Sequence, residues 1–282
     1  MNTIELKGID GSSPIGMLAA LGALRVATLQ NRLTRMGWNT GALPFYPILE
    51  TSLTVDEFAE AVCVEACRVA ASVVTYGDMI KIDSEKYRQA AESHMPQDGL
   101  PGDLTDSDYF AGFACDAITE EGFVQPSMLS FSNNSGGQLL FKDFKNLANA
   151  CSIELVMSNI LHNTPTLAAC TCLNWDSNSF RSYAYRGDMP TGKNKQTNVP
   201  MNVLAFLGLA SISSTPSRRA LTTVGFDAKG KNWCWSIWDG LIPYATVCAL
   251  FTSPITAGIA YRYSARRFSE NKRFFFAPAT QQ

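Results

Sequence analysis

Basic residues recur in close groups through the last third of the chain. They are Arg181 with Arg186, Lys193 with Lys195, Arg218 with Arg219, Lys229 with Lys231, Arg262 with Arg266 and Arg267, and Lys272 with Arg273. Aromatic residues interleave with them: Trp175, Phe180, Tyr183, Tyr185, Tyr261, Tyr263 and Phe268. This combination suits a polyanion with bases. Lysine and arginine neutralise phosphates and release counterions, and the arginine fork matches phosphate geometry. An exposed ring stacks on an unpaired base for roughly 1–3 kcal/mol. Strand alternation must send about half of these aromatics into the core instead. A second candidate is the polar turn Asn133, Asn134, Ser135, Gly136, Gly137 and Gln138 ahead of a helix. Backbone N–H groups at a helix start attract phosphate. Lys142 and Lys145 follow on its first turns, where acids are usual. An ordinary turn and cap explains the same residues.

Catalytic signatures are sparse. The chain has no G-x-x-x-x-G-K-[ST], G-x-S-x-G or H-E-x-x-H motif. Its two histidines, His94 and His162, are too few to complete a usual zinc site with the scattered cysteines. His162 reads as a helix-end residue, where the dipole favours imidazolium. His94 reads as a solvated residue beside an acidic loop. The carboxylates from Asp98 to Asp108 lack calcium-loop spacing. The sequence therefore predicts no metal, no cofactor and no catalytic residue.

Charge is divided along the chain. Residues 1–176 carry 10 Lys+Arg against 21 Asp+Glu, a net of −11, and residues 177–282 carry 13 against 4, a net of +9. The total of −2 hides this asymmetry. It predicts a basic part facing nucleic acid and an acidic part facing protein neighbours or solvent. Charges that are segregated in sequence but mixed in space would give the same counts. No basic n-region precedes the first apolar run, so no signal peptide is expected. The eight cysteines read as reduced core residues, and a cytoplasmic setting follows. The stretch 242–261 is uncharged but contains Pro243, Pro254 and Gly258, and reads as helix, break and strand rather than a membrane span.

The elements that must position these groups follow from local patterns. Residues 3–9 read as a strand, and Ser13-Pro14 opens a small-residue helix to about Leu33. Residues 36–51 read as a strand pair. Thr54 and Glu57 have capping-box spacing at the start of a helix to about Thr75. Further helices are expected at 84–93, 138–161, 201–212 and 244–252. Strands are expected at 127–132, within 171–186, in a hairpin of 220–226 with 232–238, and at 259–268 and 273–276. Residues 95–108 and 193–196 read as loops. Mixed helices and mostly antiparallel strands without a regular βα repeat predict an α+β fold. With no clear composition break, residues 1–282 read as a single domain, acidic over about 1–176 and basic over about 177–282.

Several segments carry a family resemblance. They are GIDGSSPIGMLAALGALRV (8–26), SFSNNSGGQLLFKDFKNLA (130–148), LNWDSNSFRSYAYRGDMP (173–190), NVLAFLGLASI (202–212), LTTVGF (221–226) and WCWSIWDGLI (233–242). Together they resemble subunits of class 1, type I CRISPR effector complexes (Cascade), nearest to the large-subunit-like and accessory proteins of subtype U, later G. The resemblance implies a non-enzymatic antiviral-defence subunit that contacts guide RNA, target DNA or both, beside other effector-complex subunits. In such assemblies base pairing reads sequence, while protein reads shape and backbone charge. It carries no catalytic residue. Two other functions fit the sequence: a guide-RNA-processing endoribonuclease using His94 or His162, and an adaptor that touches only protein.

Overall fold

The computed structural model describes residues 1–74, 82–96, 103–131, 139–176, 196–217, 220–252, 258–270 and 273–282, without the side chains of residues 118, 220, 270 and 273. In chain order, β1 (Asn2–Glu5) leads to α1 (Pro14–Gln30), β2 (Arg35–Trp38), β3 (Pro47–Thr51) and α2 (Val55–Ser72). Next come α3 (Ser84–Ser93), α4 (Ser107–Phe113), β4 (Ala114–Glu120), β5 (Phe123–Pro126), α5 (Leu140–Ala150) and α6 (Ile153–Val156), which runs into a π-helical turn at Met157–Leu161. Short strands β6 (Ala168–Ala169) and β7 (Gln196–Thr197) precede α7 (Val199–Gly208). The last part holds β8 (Ser214–Ser217), β9 (Ala220–Thr223), β10 (Asn232–Trp238), β11 (Ile242–Pro243), α8 (Tyr244–Thr252), β12 (Ile259–Glu270), β13 (Arg273–Phe276) and β14 (Thr280–Gln281). All pairings among the described strands are antiparallel, and the fold is α+β.

Helix α1 starts where Ser13 accepts a hydrogen bond from Gly16 N at 3.1 Å, with Pro14 in the first turn. Every residue from Pro14 to Thr28 is buried, so the helix has no solvent face. It crosses α7, also buried throughout, at backbone contact distance. A Cβ on Gly22 would lie 1.9 Å from the Leu204 carbonyl oxygen, and one on Gly208 would lie 2.0 Å from that of Leu18. Only glycine allows these two backbones to touch. A hydrophobic core spreads outward from this crossing, taking in Phe58 of α2, Phe144 of α5 and Trp235 of β10. Phe144 stacks on Phe206 of α7 with ring centroids 3.7 Å apart.

A guanidinium is buried in this apolar setting. Arg25 of α1 is 1% exposed. Its guanidinium donates to Asp108 Oδ2 at 2.9 Å, to the Thr105 carbonyl at 2.6 Å and to Tyr244 Oη at 3.3 Å, and lies 4.8 Å from the Tyr109 ring centroid. It thereby ties α1 to the start of α4 and to α8.

Two sheets flank the helices. The first has strand order β1-β3-β2-β11. The second joins β10, β12 and β13 in that order, with β14 also on β12. Trp235 Nε1 donates to the Gly11 carbonyl at 2.8 Å and Trp238 Nε1 to the Met36 carbonyl at 3.1 Å, which anchors β10 to the N-terminal region. No helix among the described residues is long and apolar enough to cross a membrane.

Four expectations are corrected. Residues 127–131 form a turn, not a strand, because Ser127 and Ser130 satisfy backbone groups locally: Ser130 N donates to Ser127 Oγ at 3.2 Å and Ser130 Oγ to the Phe113 carbonyl at 2.7 Å. The helix expected over 138–161 breaks at Cys151-Ser152, where Ser152 Oγ caps a new start by accepting from Leu155 N. The expected hairpin of 220–226 with 232–238 is reduced to one bridge between Phe226 and Trp233. Gly225, at φ +84°, turns the chain after β9, which pairs back on β8, while β10 takes the long β12 as partner. The loop expected over 95–108 closes two residues early, with α4 beginning at Ser107.

Glycine at the α1–α7 crossing has no substitute. Gly22→Ala or Gly208→Ala should cost about 3 kcal/mol or more, read by denaturant unfolding. Gly41→Ala, where the nearest atom would be 3.5 Å away, should change stability by less than about 0.5 kcal/mol.

An acid-sensitive contact joins α2 to α4. Arg68 bonds both oxygens of Asp106 at 2.7 Å each, and also grips Glu65. Burial opposes ionisation of Asp106, but the Arg68 fork outweighs it and holds the carboxyl below its ordinary 3.8. The folded value is depressed, so this contribution is complete above pH 3.8 and is lost as pH falls through the folded value. Asp106→Asn should lower Tm by about 1–3 °C at pH 7. Its deficit against wild type should shrink in melts taken below about pH 4.

Candidate nucleic-acid interface

Strand β12 sorts its residues by alternation. Tyr263 and Ala265 face the core and are buried, while Arg262 and Arg266 are exposed on the opposite face. The register sets Asn232 opposite Arg266, Cys234 opposite Ser264 and Ser236 opposite Arg262. This outer face is therefore polar and basic, backed by Trp233, Trp235 and Ile237 on the inner face. Arg262 and Arg266 lie four residues apart on one strand, so their Cα atoms are separated by about 13 Å. Arg266 has no carboxylate partner among the described residues. Lys229 and Lys231 are exposed on the turn before β10, and the Lys231 carbonyl accepts from Arg267 N at 2.8 Å.

Ion pairs between described residues follow a different distribution. They join Lys7 to Glu5, Arg25 to Asp108, Arg32 to Asp103, Arg68 to Glu65 and Asp106, and Arg88 to Glu85 and Asp116. All of these lie within the acidic part of the chain.

Beside Arg262 the outer face opens into a pocket of about 350 Å³. Phe226 and Phe251 give it aromatic wall, and Asp227, Arg262 and Gln282 supply polar groups. Asp227 orders the turn below it. Burial opposes its ionisation, but donors from Lys231 N at 2.9 Å and Asn232 Nδ2 at 2.7 Å hold its carboxyl below the ordinary range. Burial pushes the Cys234 thiol up, and the Asp227 charge adds to this. The arrangement offers a slot for a flat apolar group with cationic and hydrogen-bonding groups at its mouth.

Arg267 differs from its neighbour. It projects from the opposite face of β12 onto Phe274, with its guanidinium carbon 3.7 Å from that ring centroid and 5.7 Å from that of Phe131. Among the described residues its Nε lacks an acceptor, and burial alone lowers its pKa to about 10. Arg266 and Arg267, adjacent in sequence, thus have separate roles: one faces solvent and the other packs between rings.

The remaining sequence candidates divide as follows. Lys142 is exposed on α5, a helix packed on α2 and α7 away from the β10–β12 pairing. Arg181, Arg186, Lys193, Lys195, Arg218, Arg219 and Lys272, and the turn Asn133 to Gln138, lie outside the described residues. Arg273 pairs with Glu270 through the β12–β13 ladder, and its side chain is outside the description. Among the candidate stacking residues, Trp175 and Tyr263 are buried, and Tyr261 stacks on Phe45 at 4.6 Å. The pocket residues Asp227, Phe226, Phe251 and Gln282 were missed by sequence reasoning. Only the turn expected between 220–226 and 232–238 marked that neighbourhood.

The two histidines are placed differently, and Ser93 Oγ lies 3.1 Å from His94 Nδ1. His94 is half-buried rather than solvated: its Nδ1 lies 2.8 Å from the Ala90 carbonyl and its ring centroid 5.3 Å from that of Phe110. His162 is exposed at the end of the π-helical turn. Among the described residues, no three of His, Cys, Asp and Glu converge as metal ligands.

The inward position of Arg267 separates stability from binding. Arg267→Met removes a desolvated charge and a cation–π contact together, so stability should stay within about 1 kcal/mol of wild type. Denaturant unfolding checks this. A loss above about 3 kcal/mol would instead mean that a buried acid pairs with it.

Set against models of known protein families and against curated proteins, the chain matches none.

Proposed function

We propose that this protein is a non-catalytic nucleic-acid-binding subunit of an RNA-guided antiviral effector complex of the CRISPR type, working in the cytoplasm. The observation that carries the contact is the outer face of the β10–β12 pair, where Arg262 and Arg266 stand on one side of the strand and a partly aromatic pocket opens beside Arg262. Guide RNA or the displaced or target DNA strand would run along this face, its phosphates on the two arginines and an unstacked base at the pocket. The basic balance of residues 177–282 favours this orientation. The acidic part, with its own internal ion pairs, would face other subunits of the complex. The sequence resemblance supplies the setting, and the arginine face supplies the mode of contact.

The test is fluorescence anisotropy with labelled single-stranded RNA and DNA at several salt concentrations. The double variant Arg262→Glu/Arg266→Glu should lose at least tenfold in affinity, and its log–log salt slope should shrink by about 1.4, two contacts at roughly 0.7 each. Arg267→Met should bind within about twofold of wild type. Unchanged binding and slope in a folded double variant would overturn the assignment of this face. Absence of any polyanion binding by the wild type at low salt would favour an adaptor that touches only protein.

A further inference from the structure

Two thiols meet where α2 packs on the α5–α6 break, and a third lies one turn along α2. Cys63 lies on the packed side of α2 and is half-buried, and its Sγ is 3.9 Å from Sγ of Cys151. Cys67, one turn further along α2, is exposed, with Sγ 4.0 Å from the Ala148 carbonyl. Cys151 is not held inside a helix. Its backbone is extended at φ −76°, ψ 129°, in the connection between α5 and α6. A disulfide needs its sulfurs about 2.05 Å apart. The gap is therefore about 2 Å, within reach of side-chain rotation and a small shift of a non-helical residue.

We infer that Cys63 and Cys151 form a reversible oxidation site, closed by thiol–disulfide exchange with a low-molecular-weight disulfide. The Cys63 thiolate attacks the small disulfide, forming a mixed disulfide and expelling one small thiolate. Cys151 then gives up its proton and attacks the Cys63 sulfur, which expels the second small thiolate. Two protein thiols are oxidised and one small disulfide is reduced to two thiols, so electrons and atoms balance.

The local electrostatics suit these roles. The hydrogen bond from Cys151 favours the Cys63 thiolate, against an opposing contribution from burial, and correspondingly holds the Cys151 proton more tightly. Once Cys63 is capped, that stabilised thiolate is gone. Cys151 then loses the partner that kept it protonated and becomes the resolving thiol. The product would staple α2 to the junction of α5 and α6 across a separation of 88 residues. Such a bond restricts the unfolded chain and raises stability.

The experiment treats the whole protein with oxidised glutathione, quenches with an alkylating agent, and reads intact mass and a peptide map. Wild type should lose two hydrogen atoms, show a Cys63–Cys151 linked peptide, and leave six of its eight cysteines alkylated (eight minus two). The oxidised form should melt at a higher temperature, reversed by dithiothreitol. Cys151→Ser should stop at the mixed disulfide, with glutathione retained on Cys63. The inference is overturned if wild type keeps eight alkylated cysteines, if the linked peptide joins Cys63 to Cys67 or any other pair, or if wild type and Cys151→Ser carry the same glutathione adduct. The wild-type map alone decides between these outcomes should the serine variant misfold.

Discussion

The close crossing of α1 and α7 is the constraint on which the other elements depend. Two helices apolar on every side can be satisfied only at the centre of a protein, enclosed by other elements. Gly22 and Gly208 let their backbones touch, and this contact sets how near α2, α5 and the first sheet must approach. Every outer element buries one face against this pair or against something that rests on it. The second sheet joins the assembly through tryptophan: Trp235 and Trp238 on β10 donate to carbonyls at Gly11 and Met36, in the segments that lead into and out of α1. The basic outer face of β12 is held in place because the inner face of the same sheet is locked to the N-terminal region.

Segregated charge follows from this arrangement. In the acidic part, carboxylates bridge helix ends and helix faces, with Arg68 joining α2 to α4 and Arg88 joining α3 to β4. Those arginines stabilise structure and are used up by it. On β12, alternation decides which face each cation takes. Arg267 spends its charge on aromatic faces, while Arg262 and Arg266 present theirs outward. A protein with a total charge of −2 can therefore keep a locally positive face.

Features governed by neighbouring residues were legible in the sequence. Ser13-Pro14 marked the start of α1, Thr54 with Glu57 marked the capping box of α2, and the apolar run from Tyr244 to Thr252 marked α8. Features governed by competition between distant partners were not. Ala220–Thr223 and Asn232–Trp238 look like the arms of one hairpin, yet each finds a better-matched strand elsewhere. Ser127 and Ser130 have β-like surroundings, but their hydroxyls reward a turn. The candidate interface was legible as a cluster of arginines and not as a surface. Which side of β12 each arginine takes depends on the register with β10, and the pocket is made by residues from the turn after β9, from α8 and from Gln282 after β14 that are far apart in sequence.

The buried guanidinium of Arg25 bears on how a helix so poor in landmarks settles into one position. Alanine, glycine and leucine surround α1 on all sides, so rotating it by a residue or sliding it by a turn would exchange one apolar contact for another of similar energy. Such a helix has many nearly equivalent dockings. Arg25 removes that degeneracy. In any other rotation its charge would leave Asp108, the Thr105 carbonyl and Tyr244 and enter a dry interior without an acceptor, at a cost of several kcal/mol. A single polar side chain therefore acts as the key of an otherwise featureless shaft, selecting one native arrangement from a set that packing alone would leave unresolved.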